Sequence, residues 1–270
     1  MFGMTNLTKQ TLSCMPWPEQ VSLPAGRKTP LGRHGSATVI QVAGDPTGRL
    51  MLYAQQVLGS FALGTLDINV AGQDPEPTPF LHMDESYRLQ VTAKGVELSS
   101  PGYWGALRGI ATLAQLALHN QLYPDLLIQD KPRFAWRGLL LDVARHFFPV
   151  AALKSVIDGL AALKMNVLHL HLSDDQGFRF PSVAYPNLAS DDHYTAEELR
   201  ELVTYAADRG VRIVPELDMP GHVTSWLVAH PEWGTQATAA SRRFGVHKAC
   251  LNPLDEAIYQ AIEVLLGEVA

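Results

Sequence analysis

The stretch RGLLLDVARHFFPVAALKSVIDGLAALKMNVLHLHLSDDQGFRF, Arg137 to Phe180, decides the fold. It reads as strand, helix, strand, with polar residues gathered at the two strand ends: Arg145-His146 after the first, Asp174-Asp175-Gln176 after the second. A parallel β/α protein keeps its chemistry at the carboxyl ends of its strands, in an open sheet or a closed barrel. A third strand, RIVPELDMPGH, brings Asp218 and His222 to the same rim. An arginine and several carboxylates on one rim suit a polar, hydroxyl-rich ligand.

Side chains on a strand alternate faces with a period of two. In NVLHLHLSDD, Leu168, Leu170 and Leu172 fall on one face, and His169, His171 and Ser173 fall on the other. The leucine row suits the helix-covered outside of a barrel, which turns the histidines inward. In RIVPELD, the same count puts Ile213, Pro215 and Leu217 outward and Val214, Glu216 and Asp218 inward. Buried histidines and a buried glutamate must satisfy one another, so a His171–Glu216 contact beneath the pocket is expected. The plainer alternative makes both histidines core residues that touch no ligand.

The helices between these strands are amphipathic. Leu153, Val156, Ile157, Leu160 and Leu163 recur at helical spacing. Thr195 and Glu198 form a capping box, ahead of Leu199, Leu202, Val203 and Ala206, and Gly210 marks the stop. A last helix is expected from Asn252-Pro253, carrying Ile258, Ile262, Leu265, Leu266 and Val269. Asp255-Glu256 then lies in its first turn, where acidic residues complement the helix dipole, and reads as structural.

ESYRLQV…GYWGALRGIATLAQL, DKPRFAWRGLLLDVARHFFP, NVLHLHLSDDQGFRF, YTAEELRELVTYAADRGVRIVPELDMPGH and LNPLDEAIYQAI, in this order, resemble successive blocks of the β-N-acetylhexosaminidases, family 20 of the glycoside hydrolases. The resemblance runs from about Asp84 to the C-terminus and is tightest from Pro132 to Trp226. It implies an α/β protein: a small α+β domain over residues 1–133, then the first part of a catalytic (β/α)8 TIM barrel over residues 134–270. SATVIQVAG, the alternating segments Tyr87–Val91 and Gly95–Leu98, and a helix near Gly102–His119 fit the first domain. LLIQDKPRF reads as the link, with Asp130 and Pro132 at the boundary.

Arg145 matches the family arginine that binds hydroxyls of the terminal N-acetylhexosamine, and Asp174 matches its acidic partner. A planar guanidinium can grip two adjacent hydroxyls and still pair with a carboxylate. Asp218 and His222 match a pair that supports the catalytic carboxylates, with His171 and Glu216 beneath them. The implied reaction is hydrolysis of terminal non-reducing N-acetylhexosamine residues with retention, by the substrate-assisted route. The acetamido oxygen attacks the anomeric carbon, a glutamate protonates the leaving oxygen, and the neighbouring aspartate orients the acetamide. No metal and no organic cofactor is implied.

That Asp-Glu pair follows a Gly-Gly on the family's fourth strand, and no such block occurs in these 270 residues. About three of the eight β/α units are expected, against the roughly 250 residues of a whole barrel. The chain is therefore expected to hold substrate-binding residues without the catalytic pair, and to be inactive alone. Two other readings are a non-catalytic carbohydrate-binding remnant and a metal-dependent barrel hydrolase. The second is raised by His169 and His171 on one face with Asp174, Asp218 and His222 nearby; metal ligation would need imidazoles converging at about 2 Å.

A net charge of −6 with 18% charged residues argues against a nucleic-acid partner, which would call for a basic face. Cys14 and Cys250 make no disulfide framework and read as free thiols. Met1–Gln20 shows no charged n-region followed by an apolar h-region, and no run of about 18 apolar residues suggests a membrane span. A carbohydrate partner is the expectation; the compartment is left open, with a cytoplasmic location favoured. Oligomeric state is left open.

Overall fold

The computed structural model describes residues 4–5, 12–24, 30–31, 38–72, 77–245 and 247–270. Residues 36–37 of the first expected strand and residues 73–76 of the proline-rich loop Gly72 to Pro79 lie outside the described residues. The chain packs as two compact units. The first comprises Met1–Arg137, Ile157–Asn166 and Ala206–Arg212, and the second comprises Gly138–Val156, Val167–Tyr205 and Ile213–Ala270.

The first unit contains β1 (Met4–Thr5), β2 (Gln20–Pro24), β3 (Val39–Ala43), α1 (Arg49–Leu58), β4 (Thr65–Val70), β5 (Tyr87–Val91), β6 (Gly95–Ser100), α2 (Tyr103–Leu118) and β7 (Leu127–Asp130). Its mixed sheet runs β1-β2-β7-β5-β6-β4-β3. β3, β4 and β6 are parallel, whereas β5 pairs antiparallel with both β6 and β7. Alternation builds the core: Leu66, Ile68, Tyr87, Leu89, Val91, Val96 and Leu98 are buried, with Trp104, Leu107, Ile110 and Leu113 of α2 in the same cluster. α2 lies close because Gly105 carries no side chain; a Cβ there would sit 2.0 Å from the Ser86 carbonyl. The expected link LLIQDKPRF is partly a strand. β7 takes Leu127–Asp130 because its apolar residues complete the sheet, with Ile128 fully buried.

A buried charge cluster lies within the same unit. Glu85 accepts from Arg108 Nε at 2.7 Å and from Arg137 Nη2 at 2.6 Å, and Asn166 Nδ2 approaches its other oxygen at 3.4 Å. Lys164 pairs with Asp130 at 2.9 Å and also donates to Thr112 Oγ1 at 3.1 Å. Burying charge is costly unless each group is paired, and here the ionic groups meet that demand mutually.

The second unit is built on β8 (Gly138–Asp142), α3 (Val150–Ala162, whose last turns belong to the first unit), β9 (Val167–Asp174), β10 (Gly177–Phe178), α4 (Ala196–Ala207), β11 (Arg212–Leu217), α5 (Thr224–Ala229) and α6 (Glu256–Val269). β9 is hydrogen-bonded to β8, to β11 and, at its end, to the short β10. The β8–β9 pairing is parallel, with Leu140 beside His169 and Asp142 beside His171. Leu168, Leu170 and Leu172 are buried as expected. The capping box forms: Thr195 N donates to Glu198 at 2.8 Å, and Glu198 N donates to Thr195 Oγ1 at 3.1 Å.

Two helical expectations are corrected. Leu163 lies beyond the end of α3 and is exposed, because the chain turns at Lys164 with φ 59°. The last helix begins at Glu256, not at Asn252-Pro253. Asn252 Oδ1 instead accepts from Leu254 N, an Asx turn, and Asp255 is the N-cap, accepting from Ala257 N at 3.0 Å. Ile258, Ala261 and Leu265 form its buried face, and Leu266 is exposed.

Candidate functional site

Asp142, at the end of β8, organises the turn that follows. Its Oδ1 accepts from the backbone N–H groups of Ala144 and Arg145, at 3.0 and 2.9 Å, and its Oδ2 pairs with Arg145 Nη1 at 2.9 Å. From below, the buried Arg179 donates to the carbonyls of Val143 and Ala144, at 3.0 and 2.8 Å, and to Asp192 O at 2.7 Å. Burial lowers the Arg179 pKa from its ordinary value. Three carbonyl acceptors nonetheless match its rigid donor fork. The turn that aims Arg145 is thus fixed from both sides.

Arg145 reaches the end of β9. Its Nη2 lies 2.6 Å from Oδ2 of the fully buried Asp174. Asp174 Oδ2 also meets His171 Nε2 at 2.8 Å, and Asp174 Oδ1 meets His222 Nδ1 at 3.1 Å. The Arg145 guanidinium in turn approaches His171 Nε2 at 3.1 Å and His222 Nδ1 at 3.4 Å. His171 Nδ1 lies 3.0 Å from Glu216 Oε1, which forms the contact expected from the strand alternation. His169 Nε2 comes within 2.6 Å of Glu216 Oε2, but the approach is too oblique for a formed hydrogen bond.

Asp218 and His222 both converge on this group. The Asp218 N–H donates to Ser173 Oγ at 3.0 Å, and its carboxylate lies within 4.8 Å of ligand atoms of His171 and Asp174. His222 sits at φ 58°, the left-handed region that costs a non-glycine residue of order 1–3 kcal/mol. Such strain persists where surrounding contacts hold it, and Asp174 and Arg145 supply those contacts. Asp175 borders the same group, its Oδ2 3.7 Å from His222 Nδ1. Its Oδ1 accepts from Thr224 N at 3.0 Å and from Thr224 Oγ1 at 2.5 Å, anchoring the start of α5. Ser225 Oγ donates to the Asp174 carbonyl at 2.6 Å.

Arg145, Asp174, Asp218, His222, His171 and Glu216 therefore stand together at the ends of three strands. Asp142 and Arg179 were not singled out in the sequence. The register could have found Asp142, which shares its face with His171, whereas no sequence signal tied Arg179 to the Val143–Ala144 carbonyls.

Among the described residues, two groups have ligand atoms close enough to surround a metal ion: His171, Asp174 and Asp218, and Asp174, Asp175 and His222. Both depend on Asp174, whose charge is already met by the Arg145 guanidinium at 2.6 Å. A divalent ion there would lie against a permanent cation. The donor set suits an arginine–carboxylate pair better than a metal centre. In the first unit, a cleft is lined by Trp17, Glu85, Arg108, Asp130, Arg137 and Lys164, and these five ionic groups pair among themselves, Glu85 with Arg108 and Arg137, and Asp130 with Lys164.

Residues 134–270, just over half of the chain, match the family described as glycosyl hydrolase family 20, catalytic domain. The chain belongs to glycosyl hydrolase family 20. In this family 20 chain, residues 54–116 also match a family described as beta-acetyl hexosaminidase like. It is 36% identical over 227 residues to a beta-hexosaminidase subunit beta of Entamoeba histolytica, covering 77% of this chain and 40% of that protein. Its structure resembles the Flavobacterium johnsoniae chitobiase with a TM-score of 0.85 and 36% identity, over 98% of this chain and 43% of the other. The Streptomyces plicatus N-acetyl-beta-hexosaminidase, solved in complex with Thio-NAglucal, gives a TM-score of 0.81 at 30% identity over 97% of this chain and 57% of the other. The family 20 chain thus spans about two fifths of that curated relative's length. Its α/β fold is that of family 20 structures.

Proposed function

We propose that this chain carries the sugar-recognising part of a β-N-acetylhexosaminidase, acting on terminal non-reducing N-acetyl-D-hexosamine residues by substrate-assisted, retaining hydrolysis. The observation that carries the reading is the Arg145–Asp174 pair, 2.6 Å apart on a strand-end rim. One Asp174 carboxylate holds Arg145, His171 and His222, which fixes the guanidinium at the rim with 29% of the arginine side chain still exposed. Asp218, His222, His171 and Glu216 support that pair and, in the longer family architecture, the catalytic carboxylates beside it. We divide the chain into residues 1–133 and 134–270, the second being the opening β/α units of a (β/α)8 barrel. The substrate is a carbohydrate, and no cofactor takes part.

A polypeptide of these 270 residues binds without turnover in this reading. It has no Gly-Gly-Asp-Glu block, and the contributions of acid catalysis and acetamide positioning are lost together. A non-catalytic carbohydrate-binding role rests on the same residues. The test is titration of N-acetylglucosamine into the chain and into R145A, followed by calorimetry or NMR, with an aryl N-acetyl-β-glucosaminide assayed in parallel. Saturable binding that R145A weakens about ten- to a hundredfold is expected, as for loss of a charged hydrogen-bonding group. Equal binding by both proteins would remove Arg145 from the site. Turnover by the mass-verified 270-residue protein would overturn the placement of the catalytic pair outside it.

A further inference from the structure

We infer that the outer face of the first unit's sheet is a binding surface for a neutral, hydroxyl-rich polysaccharide laid across the strands. The surface is read from its own geometry; the choice of N-acetylglucosamine as the sugar unit rests on the hexosaminide reading above. The strand register puts Asn69 beside Ser99, Ser99 beside Arg88, Arg88 beside Gln129, and Gln129 beside Gln20. This is one unbroken row across β4, β6, β5, β7 and β2. All five side chains are exposed, while their strand neighbours Ile68, Leu98, Leu89 and Ile128 turn into the core. Asn69, Ser99, Arg88 and Gln129 line a single groove of about 590 Å³.

Stability alone does not select this face. Cross-strand rows gain most from β-branched and aromatic residues, and the row contains none. In the row beside it Asp67 lies next to Glu97, a like-charge pairing that weakens a sheet. A surface that gives up stability in this way is retained for a ligand. What the row offers is hydrogen bonding, from three amides, a hydroxyl and a guanidinium. Arg88 Nη2 donates to Gln90 Oε1 at 2.8 Å, which steadies the guanidinium on the face. The charged residues of the groove balance, Arg88 and Lys131 against Glu19 and Asp130, so a neutral ligand fits where a nucleic acid does not. A protein partner would ask for apolar area at the centre of the patch. Strands about 4.8 Å apart present one such group at each step, close to the length of a pyranose unit, so the row spans about four linked sugars.

The test titrates the β-1,4-linked hexamer of N-acetylglucosamine into the 270-residue chain, R145A and R145A/R88T/Q129T, with the monosaccharide in parallel. R145A should still bind the hexamer, because the row does not use Arg145. Adding R88T and Q129T should weaken that binding about five- to fiftyfold, as for loss of two hydrogen-bonding groups. Threonine favours strands, so the added changes should leave the melting temperature unchanged or higher. On the unaltered chain, hexamer should also shift the amide NMR signals of Ser99 and Gln129, a readout that needs no variant to fold. R145A that fails to bind hexamer, undiminished affinity in the triple variant, or unmoved Ser99 and Gln129 signals overturns the sheet surface. Monosaccharide binding that R145A does not affect overturns the hexosaminide reading instead, so the two failures are distinguishable.

Discussion

Arg179 Nη2 donates to the carbonyl of Ala144 at 2.8 Å, one residue before the arginine of the candidate site. The stability of that turn and the aim of Arg145 are therefore linked through one buried guanidinium. Arg179→Lys cannot reproduce three separate carbonyl contacts, because an ammonium is a single point of donation. Loss of about 2–4 kcal/mol in urea unfolding is expected, as two buried acceptors lose their donors. N-acetylglucosamine binding should weaken at temperatures where the variant is still folded. A variant of unchanged stability would show that water satisfies these carbonyls equally well.

His222 holds a left-handed backbone, and glycine adopts that conformation without a steric penalty. His222→Gly should keep the unfolding free energy or raise it slightly, by on the order of 1 kcal/mol, because relief of the left-handed strain outweighs the chain entropy that glycine adds to the unfolded state. The same change removes the imidazole from Asp174 and should weaken sugar binding. A gain in stability with a loss of binding would mark His222 as retained for the ligand. A marked drop in melting temperature would mean that the His222–Asp174 contact supports the fold.

Glu85 is buried between Arg108 and Arg137, and burial lowers the Arg108 pKa while Glu85 opposes that shift. Glu85→Gln keeps the shape and removes the charge, leaving two guanidinium groups uncompensated. Breaking a buried pair in this way costs about 3–5 kcal/mol. Denaturant titration should place E85Q far below the unaltered chain. A double change of Glu85 and Arg108 to apolar residues of similar volume should recover part of the loss.

Burial pushes the Cys14 thiol up to about 11 from its ordinary value of 9.0, partly offset by Lys164. The folded chain thus holds this proton more tightly than the unfolded chain does. Between about pH 9 and 11 the unfolded chain releases it first, so stability falls across that window. Urea midpoints measured from pH 8 to 11 should decline more steeply for the unaltered chain than for C14S. Parallel curves would mean that the thiol is as free to ionise in the folded protein as in the unfolded one.

Period-two alternation made much of the site legible. Counting faces along Val167–Asp174 and Arg212–Asp218 was enough to put His171 against Glu216, because a strand offers only two directions. The capping box at Thr195 was legible for the same reason, being a local pattern with local partners. Asp142 was less legible because it closes an apolar run, Leu139 to Leu141, and its partners are the backbone N–H groups of the turn just after it. The start of α6 was misjudged because Asn252-Pro253 satisfies helix-start preferences that an Asx turn shares. Arg179 and the Glu85 cluster were out of reach. Their partners lie up to 102 residues apart, and nothing in the sequence joins them before the chain folds.

The wide spacing of the Glu85 cluster also bears on how the polypeptide matures during synthesis. The sheet that ends at Asp130 buries Glu85 and Asp130 against groups supplied by Arg137, Lys164 and Asn166, while Arg108 Nη2 needs the Gly210 carbonyl at 2.6 Å. A nascent chain that has emerged only as far as its seventh strand holds charged groups whose partners are still inside the ribosome. Loop-closure entropy delays such long-range contacts further. The first unit therefore reaches its final form only after residue 210 has emerged, and until then its sheet is a client for whatever shields incomplete surfaces.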